Sequence, residues 1–177
     1  MHEDDYGEIE VLPASMADWV AQQLGEIAAF AARHRAPGGM GWTDIYVRPP
    51  APAGIADLGI PLSATLEALG RLLPRFDAVM MGTFSSPEPV PGFHAFGPSD
   101  FAAIVLKGDG TEEKLASMVL ALRSRRADAS AVLLALASIP SPEPLLVADW
   151  TSAACVHLDR PDEVERYLQR FDVCTGT

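Results

Sequence analysis

A chain of 177 residues with a formal net charge of -11, 49% hydrophobic residues and two cysteines can bury one core without covalent staples. The acidity counts against nucleic acid and anionic membranes, whose binding is driven by Lys and Arg, and it permits steering toward a basic protein partner. The cysteines, Cys155 and Cys174, make neither a disulfide framework nor a zinc pattern.

The start, Met1-His2-Glu3-Asp4-Asp5, is acidic where a signal peptide is basic, and no window approaches the roughly 18 apolar residues of a membrane span. A cytoplasmic protein of one domain, 1–177, is expected. Arginine in place of lysine, with abundant Ala and Pro, reads as the codon bias of a G+C-rich bacterial genome. Residues 1–10 are an acidic, flexible lead-in that becomes ordered near Ile9 to Leu12, and 172–177 a flexible tail.

Ser15 with Asp18 resembles a capping box, and Met16, Trp19, Val20, Leu24, Ile27 and Phe30 keep helical spacing to Arg35, before Pro37-Gly38-Gly39. Residues 43–47 read as a short strand stopped by Pro49, Pro50 and Pro52. A second helix starts near Ser63 and ends at Pro74. Residues 77–84 are apolar on both faces and read as a central strand.

Residues 85–100 read as a long loop, either a binding element or a segment pinned to the core by Phe93 and Phe96, with His94 between them. Residues 101–106 read as a buried strand. After them, Lys107-Gly108-Asp109-Gly110-Thr111 precedes a predicted helix with Leu115, Met118, Val119 and Leu122 inward. Strand, glycine turn and helix is the order of a phosphate loop, but Glu112 and Glu113 would repel phosphate and the Lys-Ser/Thr ending is missing, so no cofactor is expected. Arg123, Arg125 and Arg126 would close that helix as the one concentrated basic patch. Residues 129–138 read as a buried helix, and 139–144 as a stiff proline linker.

The last stretch is the most legible: a strand at 145–148, a reversal at Asp149-Trp150-Thr151-Ser152, a return strand at 153–158 and a helix whose Val164, Tyr167, Leu168 and Phe171 form one stripe. Alternation puts Cys155 and His157 on one face of the return strand, with Asp159 beyond. This invites a Cys-His-Asp reading, yet same-face neighbours lie roughly 6–7 Å apart, too far for a nucleophile and its base. Asp159 also suits the N-cap of the helix beginning at Pro161. Trp150 is either a lid over the core edge or an aromatic anchor for a partner.

These elements predict an α/β (α+β) protein: a single mixed sheet of about five strands with a C-terminal β-hairpin, flanked by helices. No catalytic, metal or nucleotide motif is present. The favoured function is a protein-binding module, immunity-like or inhibitory, using Asp149, Trp150, His94, Phe93, Phe96, Cys155 and His157, with Trp42 a further exposed aromatic. The alternatives are a small hydrolase using His94, His157 and Cys155 in a cleft, and a homodimeric structural or regulatory protein.

Overall fold

The computed structural model describes residues 9–36, 38, 41, 43–83 and 86–175, with backbone alone for 81–83, 86–87 and 173–175. Trp42, Phe84 and residues 1–8 lie outside the described residues. The fold is mixed α+β, as expected, built on one six-stranded sheet in the order β4-β5-β6-β1-β7-β8. All its pairings are antiparallel, where a mixed sheet of about five strands was expected.

β1 (Ile9–Pro13) is central. Its Val11 and Ile9 face the main core while Leu12 faces the other side, and Pro13, which cannot donate to a ladder, ends it. α1 (Ala17–Arg33) follows. Ser15 does not cap it; its hydroxyl donates to Glu143 at 2.8 Å. Residues 45–50 are irregular, contrary to the predicted strand at 43–47. α2 (Leu62–Gly70) is the expected second helix.

The predicted central strand at 77–84 is instead β2 (Met80–Thr83), which pairs with β3 (Ser86–Pro89) in a two-stranded sheet of its own. The predicted long loop contains β3 and β4 (Phe93–Ser99), an edge strand whose Pro98 falls at a register shift between Phe96 and Ser99, a position that tolerates proline. β5 (Ala102–Gly108) runs back from it. The predicted helix over 115–122 is β6 (Leu115–Leu122), paired along its length with β5.

Arg123 and Arg125 therefore lie between β6 and α3 (Arg126–Ala137), and Arg126 opens α3, where it pairs with Glu165 and Asp172. β7 (Leu145–Asp149), β8 (Ala154–His157) and α4 (Pro161–Leu168) form the expected hairpin and helix. Arg160 occupies the position before α4 and no side chain caps it, so Asp159 does not serve as the cap.

The core lies in layers. Ile104, Leu106, Leu120, Val147 and Val156 form one sheet face, which packs with Leu69 of α2, Val132 and Leu136 of α3, and Tyr167 and Leu168 of α4. On the opposite face, Val20 of α1 packs with Leu12, Leu146 and Ala148, and Val79 covers Ala95 and Val105. Among the described residues no helix is long and apolar enough to cross a membrane.

Candidate functional site

β8 ends the sheet on one side, so among the described residues one of its edges has no neighbouring strand. Cys155 pairs opposite Ala148 and His157 opposite Leu146. Because Leu158 N–H donates to Leu145 O, the alternation of an antiparallel ladder turns the N–H and C=O of Cys155 and His157 outward.

At His157 this edge is closed. Its N–H donates to Glu163 Oε2 at 3.0 Å, and its carbonyl accepts from Arg160 N–H at 3.2 Å. At Cys155 it stays open among the described residues.

The open edge is the floor of a cleft of about 660 Å³. Ala17, Asp18 and Ala21 of α1 form one wall, and Glu163, Arg166 and Arg170, on and just after α4, form the other. The walls arise from the layering: α1 covers the face bearing Cys155, and α4 the face bearing Val156. A strand edge between two helices can accept an extended chain, which would pair with its backbone.

His157 Nδ1 also meets Glu163 Oε2, at 2.9 Å. The His157 backbone N–H is the first reason that the Glu163 carboxyl falls to about 2, helped by Arg160 and by the His157 ring, against the opposing pull of burial. The imidazole's carboxylate partner is thus Glu163 and not Asp159. Cys155 makes no hydrogen bond with His157. Burial and the nearby Glu163 charge push its thiol pKa up, away from the thiolate.

Asp149 is fully buried at 0% exposure and is committed to structure. Its Oδ1 accepts the N–H groups of Thr151 at 3.1 Å and Ser152 at 2.9 Å, and its Oδ2 accepts Tyr167 Oη–H at 2.7 Å and the Arg170 guanidinium. Burial works to raise its pKa, but these donors and the Arg170 charge outweigh it and hold the carboxyl below its ordinary value. Trp150 packs edge to face on Trp19, with centroids 6.0 Å apart.

The remaining sequence candidates lie on β4, at the other end of the sheet. Phe96 is a core residue and Phe93 packs beside Val79 and Ala95. His94 Nδ1 is 2.9 Å from an Arg75 nitrogen, and its Nε2 is 3.4 Å from Glu112 Oε2. Five interstrand steps, about 24 Å, separate β4 from β8, so His94 cannot join Cys155 and His157 in one site. Among the described residues no His, Cys, Asp or Glu cluster could hold a metal ion.

Sequence reasoning found Cys155 and His157 but missed Glu163 and the α1 wall. Glu163 was legible only as an acid in the first turn of a helix. The approach of Ala17 and Ala21 depends on packing between distant segments. No protein-family model, curated protein or solved structure matches the chain.

Proposed function

We propose that the chain is a non-catalytic protein-binding module of the cytoplasm, immunity-like or inhibitory, which receives an extended segment of a basic partner along the β8 edge. The open backbone at Cys155, set between α1 and α4, carries this reading. The net charge of -11 favours a basic partner by steering its approach.

The reading is tested by capture from host lysate at low and high salt, followed by reconstitution with the purified partner. Ala21→Arg fills the cleft, and Leu134→Ala alters an exposed residue of α3. One basic protein bound at fixed stoichiometry, released by salt, lost in Ala21→Arg and kept in Leu134→Ala is the expected result. A partner that binds Ala21→Arg equally well overturns the site.

A small hydrolase is the second reading, favoured by the His157–Glu163 pair, since a carboxylate on Nδ1 leaves Nε2 as a base. Its weakness is the nucleophile: Cys155 is unpaired with His157 and its pKa is raised.

A further inference from the structure

Arg48 lies where a strand, a helix and a turn meet. Its guanidinium is 2.5 Å from Glu10 Oε1 of β1. Its central carbon lies 4.1 Å from the ring centre of Trp150 and 5.5 Å from that of Trp19. A carboxylate and two indole faces around one guanidinium combine a charge-assisted hydrogen bond with cation–π attraction, the chemistry that recognises an arginine side chain.

The segment that brings Arg48 there is held by side chains, with Ala51 packed against the Leu12–Val20 cluster, and not by a backbone ladder. Residues 45–53 make no backbone–backbone hydrogen bond among the described residues. Ile45 and Val47 are each 83% exposed. Between them Tyr46 is anchored on α1, its hydroxyl to Gln23 and Glu26 and its ring 5.4 Å from that of Phe30.

Two further observations set the place apart from an ordinary surface ion pair. Among the described residues, Trp150 Nε1 is buried without a hydrogen-bond partner, a donor that a backbone carbonyl of an incoming chain, and not its guanidinium, could satisfy. A cavity of about 260 Å³ borders Glu10, Arg48, Pro50, Ala51 and Ser117, on the side of the guanidinium away from the two indoles.

We propose that Trp19, Trp150 and Glu10 form an arginine-binding cage, which Arg48 fills in cis and which an arginine of a basic partner takes over when the irregular 45–50 segment lifts. The identity of the incoming chain rests on the binding reading above; the cage chemistry does not. Trp150 follows β7 on the turn that leads into β8, so this segment and the cleft flank the same reversal.

The test uses N-acetyl-arginine amide as probe and tryptophan fluorescence as readout, without any partner. Arg48→Ala is expected to give a saturable change, with affinity at least about tenfold above the wild type, where Arg48 competes. N-acetyl-citrulline amide, neutral at the same shape, is expected to give none. Adding Glu10→Gln to Arg48→Ala is expected to weaken binding by about tenfold.

A folded Arg48→Ala protein that binds neither probe, or both equally, overturns the cage. Should that variant not fold, the Arg48 Nε–H resonance of the wild type serves instead. Its movement to the position of free arginine as the probe is added supports displacement, and its constancy at the highest soluble probe concentration contradicts it. Either outcome is independent of which protein the cleft captures.

Discussion

Tyr167 donates its hydroxyl hydrogen to Asp149 Oδ2 at 2.7 Å, tying α4 to the start of the hairpin reversal from within the core. Burial first, and the Asp149 charge second, keep that phenol protonated far beyond its ordinary range, so it stays a donor at any working pH. Asp149→Ala would leave the Tyr167 hydroxyl and two turn N–H groups without their acceptor and Arg170 without its carboxylate, and is expected to cost about 3–5 kcal/mol. Tyr167→Phe loses one hydrogen bond to a charge and is expected to cost about 1.5–3 kcal/mol. Urea unfolding of both variants checks the order.

Glu163 links the β8 edge to α4 and gives the fold an acid dependence. Its carboxyl titrates at about 2 in the folded protein against an ordinary value of 4.5. A depressed folded pKa means that its stabilisation is present in full above about 4.5 and is lost as the pH falls to about 2. The stability difference between wild type and Glu163→Gln should therefore shrink across that window and vanish at its lower end. Denaturant midpoints measured at a series of pH values check it.

Gly97 permits the bend in β4. A Cβ there would lie 2.1 Å from Ala102 O and 2.6 Å from Ala103 Cα, both backbone atoms that cannot swing away. Gly97→Ala is expected to destabilise by about 1–3 kcal/mol or more. By contrast, Gly110→Ala meets nothing within 4 Å and serves as the control, with thermal unfolding as the measurement.

Cys155 should be a slow thiol. Its raised pKa predicts iodoacetamide alkylation at pH 7.5 several-fold slower than for a free cysteine peptide, in a Cys174→Ser background. His157→Ala should not slow it further, because the two side chains share no hydrogen bond. A rate above that of the peptide, dependent on His157, would revive the hydrolase.

The helices and the final hairpin were legible because their apolar residues keep a period or a simple turn. β6 was not: Leu115, Met118, Val119 and Leu122 fit a helical stripe, while the strand is buried on both faces over Leu120, Ala121 and Leu122 and so lacks alternation. β4 was hidden by Gly97 and Pro98, which an edge strand accepts at a register shift. The acidic lead-in concealed that Ile9 opens the central strand, where Glu10 is compensated by Arg48, a partner 38 residues on.

At the cleft, the alternation of Cys155 and His157 could be read from the return strand. That Glu163 seals one half of the edge and leaves the other open depends on where α4 docks, which no local pattern encodes.

Amide hydrogen exchange at β8, in the free protein and in its reconstituted complex, tests the open edge most directly. The account predicts that the Cys155 N–H exchanges fast in the free protein while Ala154 and Val156, turned toward β7, are protected, and that Cys155 becomes protected in the complex. A Cys155 N–H already slow in the free protein, or unchanged in the complex, would contradict it.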